Sequence, residues 1–276
     1  MVLQKLARII RVRGVGLGLL LGVLLLAGSA PAQSPEDEQQ LYARFNQALA
    51  SGDLEQAEQL AKEFAKAYPD SAHLQQMQYE LALTEPDYGK ALNRLEEIID
   101  GSEASRWIVL AGTRIALLAR LESRMRDAVV ALREAERKGA VRGGAAVEPQ
   151  DLQRLRLEMA RAYLSLGRES AAAQVLERLE NPEQLSPLDQ EAYAFCLALI
   201  LWGQGEDKQF WQQVLAFEER FPESSYLPSL QFIASGYPLR RRTRRPRVDR
   251  ELLQEIVDFF PNSPEAYVAR RALSSM

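Results

Sequence analysis

The sequence predicts an all-α chain folded as a stack of helical hairpins, and three observations carry that reading. From Ser34 to Met276 apolar residues recur with helical spacing, and no run of alternating β-branched residues interrupts them. The segment from Gly52 to Leu60 recurs from Pro86 to Arg94, with Ala57 and Ala91 in equivalent places 34 residues apart. Ser34-Pro35, Ser186-Pro187 and Ser263-Pro264 each place serine at a helix N-cap and proline in the first turn, with an acid close behind. Helices are therefore expected to begin near 35, 187 and 264.

Taken in order, the chain opens on a segment of another kind. Lys5, Arg8, Arg11 and Arg13 precede a run from Val15 to Gly28 that holds no charge, and Ala30-Pro31-Ala32 follows with small residues where a signal peptidase needs them. Residues 1–32 read as a cleavable export signal, cut after Ala32, which places the mature chain in the periplasm. The alternative is an uncleaved inner-membrane anchor, although the apolar run of 14 residues falls short of the roughly 20 that span a bilayer. No cysteine follows it to carry a lipid, and the paired arginines of a twin-arginine signal are missing.

Residues 33–276 then divide into about six hairpins. Ala48, Gly52, Ala57, Phe64 and Pro69 mark the first, and Tyr79, Ala82, Asp87, Ala91 and Ile98 the second. Ala116, Ala119, Ala128 and Leu132 mark the third, and Ala160, Tyr163, Gly167, Ala172 and Leu176 the fourth. The fifth has Ala198, Leu201, Gly205, Val214, Phe217 and Pro222, with Phe210 where a small residue is expected; the sixth loses the pattern in its first helix and ends at Phe260-Pro261. Small residues let the two helices of a hairpin approach, glycine turns the chain between them, and bulky residues fill the gap to the next hairpin. Two stretches stand outside the helices: a flexible loop over 139–150, rich in glycine, and an Arg-rich loop over 238–248.

These positions resemble the tetratricopeptide repeat family, most clearly from Met159 to Leu179. The resemblance implies a right-handed α-solenoid that acts as a scaffold for protein partners. A narrower resemblance lies in Tyr68-Pro69-Asp70-Ser71, Phe221-Pro222-Glu223-Ser224 and Phe260-Pro261-Asn262-Ser263. Such junctions are similar to those of tetratricopeptide proteins of the bacterial cell envelope, which implies envelope partners. In that family the first helices of successive hairpins line a concave groove. Mapped onto this chain the groove face comprises Tyr42, Asn46 and Leu49, then His73, Gln76 and Glu80, then Thr113 and Leu117, then Leu157, Arg161 and Leu164, and finally Phe195, Leu199 and Trp202. The last three are either an exposed apolar anchor pocket or covered by neighbouring helices.

Charge separates the chain into two parts. Residues 33–225 hold 21 basic and 33 acidic side chains, whereas 226–276 hold 9 and 5. An acidic body of this kind lacks the phosphate-neutralising surface that nucleic-acid binding requires. Arg240, Arg241, Arg242, Arg244, Arg245 and Arg247 lie within eight positions, with Pro238 before them and Pro246 among them. They read either as a solvated loop against the acidic body or as a contact for anions such as phospholipid headgroups, lipopolysaccharide phosphates or envelope glycans.

Catalytic chemistry is poorly supplied. One cysteine, Cys196, and one histidine, His73, leave no parts for a disulfide, a Cys/His zinc site, a His-dependent triad or a Cys-His dyad. Glu96-Glu97 and Glu218-Glu219 are adjacent in sequence and so do not converge as a general acid and base would. The expectation is a non-enzymatic protein without cofactor or metal.

Overall fold

In a computed structural model, described for residues 35–101, 105–139, 147–236 and 248–276, the described residues form helices joined by short turns, with no strand among them. Its α-helices, in order, are α1 (Pro35–Ala50), α2 (Leu54–Ala67), α3 (Ala72–Thr84), α4 (Tyr88–Asp100), α5 (Arg106–Leu121), α6 (Met125–Gly139), α7 (Pro149–Ser165), α8 (Glu169–Leu176), α9 (Pro187–Gln204), α10 (Asp207–Arg220), α11 (Leu227–Ala234), α12 (Arg250–Phe259) and α13 (Pro264–Ser274), with one 3-10 turn at Pro182–Gln184. Six hairpins are thus followed by a closing helix, as the junction at Phe260-Pro261 predicts.

The three serine caps fall where the sequence puts them, apart from Ser34, which lies outside the described residues. Helix α9 starts at Pro187 and the Ser186 hydroxyl accepts from the Asp189 N–H. Helix α13 starts at Pro264 with Ser263 accepting from Ala266. Hairpin turns at Gly52, Gly167 and Gly205 adopt φ of 76°, 66° and 80°, the left-handed region that glycine enters without a Cβ penalty. The equivalent turn between α5 and α6 has Ser123 at φ 60° instead. The small residues of the pattern are buried: Ala57, Ala160, Ala172 and Ala198 have no exposed surface.

Two expectations need correction. The loop over 139–150 is shorter than the glycines imply, because α6 continues to a buried Gly139 packed on Val109 and α7 begins at Pro149; residues 140–146 between them lie outside the described residues. Phe210 does not disturb the fifth hairpin. It is buried in a cluster with Ala194 and Ala198, two small residues on α9 that make the room α10 takes up.

Each helix packs on its neighbours in sequence, and the odd-numbered helices α3 to α13 also touch one another in series. The odd row is the more closely packed side, so the stack curves around it and presents the odd helices on its inner face. The core is continuous through the centre, where α3 to α9 share one apolar cluster, with smaller clusters at α1–α3 and α9–α13.

The third hairpin approaches most closely. A Cβ on Gly112 of α5 would overlap that of Ala135 on α6. Gly112→Val should therefore destabilise the protein by about 2–4 kcal/mol through overpacking, read by urea denaturation. Ser123→Gly should act in the opposite direction, raising stability by about 0.5–1 kcal/mol as the left-handed strain is relieved; an unchanged midpoint would show that the serine side chain compensates.

Candidate functional site

The inner face is built from junctions that repeat. Tyr68, Phe221 and Phe260 each end a helix with nearly the same backbone, φ near −130° and ψ of 51–62°, followed by proline and a turn that brings the serine N–H onto the aromatic residue's carbonyl. The Ser71 hydroxyl donates to Glu38 and the Ser224 hydroxyl to Glu191, in both cases 33 positions earlier on the preceding odd helix. The same hydroxyls cap the backbone two residues on, at His73 and Tyr226. The first two junctions therefore each tie an odd helix to the next and aim one ring, His73 or Tyr226, at an aromatic partner.

That partner is Tyr42 in the first case, stacked on His73 with ring centroids 4.3 Å apart. Phe195 is the partner in the second, stacked on Tyr226 at 4.5 Å. Around the first stack the predicted residues Asn46, Gln76 and Glu80 converge. Gln76 donates to Glu80 over 2.8 Å. Burial pushes the Tyr42 hydroxyl up; the hydrogen bond with Asn46 opposes this, the Glu80 charge adds to it, and the bond with Gln76 opposes it. Five sequence-predicted residues thus form one half-buried polar cluster, and His73 is a stacking partner and not a bare surface histidine.

Arg161 anchors the second group. It donates to Glu158 over 2.8 Å and lies 5.6 Å above the Tyr226 ring, a cation–π distance. Glu158 also accepts from Arg120 of α5 at 3.0 Å. The Tyr226 hydroxyl, like that of Tyr42, is pushed up chiefly by burial, so both rings stay neutral at physiological pH. Tyr226, Glu158 and Arg120 were not foreseen from sequence. Superimposing the two junction motifs would have found Tyr226, which follows Ser224 as His73 follows Ser71.

Other predicted groove residues are placed differently. Phe195, Leu199 and Trp202 are half-buried and pack on the cluster of α9, α10 and α11, so neighbouring helices cover them in part. Leu49, Leu117 and Leu164 are half-buried. Thr113 and Leu157 are corrected: both are buried, Leu157 at 1% exposure, and the Thr113 hydroxyl turns back to the Val109 carbonyl. They belong to the core because α5 and α7 are flanked on both sides. The tract Arg240, Arg241, Arg242, Arg244, Arg245 and Arg247 lies outside the described residues.

Two hollows open on the even-helix side. One, of about 420 Å³, lies between α4 and α6 with α5 as floor. The other is a wider trough of about 1230 Å³ along α6, α7 and α8. At the trough Glu136, 9% exposed, is held between Arg156 and Arg178 at 2.9 Å each.

Among the described residues no group of three or more His, Cys, Asp or Glu side chains is placed to hold a metal. Cys196 is fully buried in α9, and burial pushes its thiol up to about 12. The thiolate that a nucleophile requires is suppressed at neutral pH. An aromatic disulfide reagent should accordingly leave Cys196 unmodified in the native protein at pH 8 and label it at the rate of unfolding in denaturant. Rapid native labelling would show that α9 opens locally.

No family model matches the sequence, and no curated protein matches it. A solved structure does: that of PilF from Pseudomonas aeruginosa, a tetratricopeptide-repeat protein, superimposes with a TM-score of 0.54 over 86% of this chain and 98% of that one, at 15% identity. At that identity the likeness is one of architecture, and the chain has the tetratricopeptide-type α-solenoid fold.

Proposed function

We propose that the protein is an exported, non-catalytic scaffold of the bacterial cell envelope that holds a segment of a protein partner against the inner, odd-helix face. The observation that carries this reading is the pair of junction-built aromatic stacks, Tyr42–His73 and Phe195–Tyr226. Each is fixed by a serine–carboxylate tie and bordered by hydrogen-bonding side chains that the fold itself does not need exposed. Pre-positioned rings with polar neighbours suit a peptide, because they offer contact area at little cost in side-chain entropy. Export and the periplasmic address rest on the character of residues 1–32, and the envelope setting on the aromatic-Pro-x-Ser junctions.

The second reading is a peripheral membrane, lipopolysaccharide or envelope-glycan binder acting through Arg240–Arg247. Six guanidinium groups in eight positions favour it, since each can bind a phosphate oxygen pair. The two differ in salt dependence, because headgroup binding collapses as ionic strength rises and contacts to aromatic stacks persist.

The test is in-cell photo-crosslinking with the reactive group at Gln76 and, separately, at Leu199, with a third site at Thr243. The expected result is one discrete protein captured from both inner-face positions, with capture reduced about tenfold or more by His73→Ala combined with Tyr226→Ala. Lipid or polysaccharide adducts at Thr243 with nothing at Gln76 or Leu199 would replace the scaffold reading with the second.

A further inference from the structure

The cleft between α4 and α6 is on the opposite row from the aromatic stacks, and its chemistry is different. Its floor is aliphatic, from Leu92 and Ile99 of α4, Ile115 and Ala119 of α5 and Ala131 of α6. The lip carries Val130, 68% exposed, and Tyr88, 37% exposed, both unusually open for such side chains. A volume of about 420 Å³ accommodates one or two bulky aliphatic side chains.

Four carboxylates and a single guanidinium line this cleft: Glu96, Asp100, Asp127 and Glu134 against Arg124. Arg124 is already engaged by Glu122 at 3.1 Å and Asp127 at 2.7 Å, and the Tyr88 hydroxyl donates to the same Glu122. Glu134 is balanced by Arg137 at 2.5 Å and Lys138 at 3.7 Å, and Lys138 also donates to the Ile99 carbonyl. Glu96 and Asp100 remain. Both are exposed, and neither side-chain carboxylate enters an ion pair or hydrogen bond among the described residues. The cleft thus pairs an apolar floor with one negative edge formed by α4, a combination that repels phosphates and fatty acids and suits a cation-flanked aliphatic segment.

We propose that this cleft is a second docking site, which takes a basic segment of a partner protein with a bulky aliphatic side chain on the floor and Lys or Arg side chains against Glu96 and Asp100. It is separate from the inner face, and either site can fail its test without the other.

The probe is a fluorescein-labelled octapeptide with a Leu-Leu centre flanked by three arginines on each side, compared by anisotropy with a peptide whose leucines are serines. The full chain should bind the leucine peptide about tenfold more tightly than the serine peptide, a preference set by floor burial. Glu96→Lys with Asp100→Lys, two exposed positions whose change leaves the core intact, should weaken the leucine peptide by about tenfold or more. Ala131→Trp should fill the cleft and abolish the leucine preference, with thermal melts confirming that both variants fold. Equal binding of the two peptides, or an affinity indifferent to the charge reversal, would overturn the proposal. Self-association of the wild-type chain in sedimentation velocity, lost in the double lysine variant, would overturn it in favour of a second copy as occupant. Inner-face crosslinks unchanged in the double lysine variant would confirm that the two sites are independent.

Discussion

Close approach of paired helices through alanine and glycine is the contact on which the rest of the structure depends. Gly112 against Ala135, and the fully buried Ala57, Ala160, Ala172 and Ala198, bring backbones together but bury little apolar area of their own. The bulk of the burial comes from residues that reach out of a hairpin to the next. Phe64, Ile98, Leu132 and Phe217 are each 1% exposed or less, and each belongs to the second helix of its pair. A buried phenylalanine or isoleucine contributes about 1.5–3 kcal/mol, so an isolated hairpin lacking its neighbour loses the larger share of its stabilisation. Stacking is therefore a condition of folding, and the site exists only because the stack does.

The odd-helix interfaces solve one problem in two ways. At two odd pairs, α1–α3 and α9–α11, the connection is a serine–carboxylate tie under an aromatic stack, Glu38–Ser71 beneath Tyr42–His73 and Glu191–Ser224 beneath Phe195–Tyr226. In the centre, between α5 and α7, it is ionic: Arg106 with Glu148 and Asp151, and Arg120 with Glu158. The arginines of these central pairs are 35–40% exposed, so each pair contributes no more than about 1 kcal/mol and orients more than it stabilises. The aromatic junctions fix geometry on either side of the centre, and the arginines lie in the interval between them.

Much of this was legible in the sequence, and what was not has a common cause. Turn glycines, serine caps and small contact residues are local signals, and they located Gly52, Gly167, Gly205, Ser186 and Ser263 in their observed roles. Groove residues need the rotation of each helix about its axis, and one residue of slip turns a helix by about 100°. Tyr42, Asn46, His73, Gln76 and Glu80 stay half-buried and close together because α1 and α3 lie at the end of the stack, where one face stays open. Thr113 and Leu157 do not, because α5 and α7 are packed on three sides and leave no wide polar stripe from which to read a direction. The α4–α6 cleft was illegible altogether. It arises from the angle between successive hairpins, which no single helix encodes.

Charge is distributed over the two faces with opposite consequences. On the inner face Arg161 and Arg120 share Glu158, and Arg161 also covers the Tyr226 ring. Glu136, near the even row, is matched twice over by Arg156 and Arg178, and its burial makes either loss expensive. Under the proposed reading, a partner beside Arg161 meets oriented rings next to paired charges, so shape and stacking contribute to recognition there. On α4 the balance is left open at Glu96 and Asp100, beside an apolar floor. Contacts on that side add attraction between unlike charges to burial and so weaken with salt. Contacts to the aromatic stacks of the inner face should weaken far less, so under the proposed readings the two rows of one solenoid would select what they hold by separate physical means.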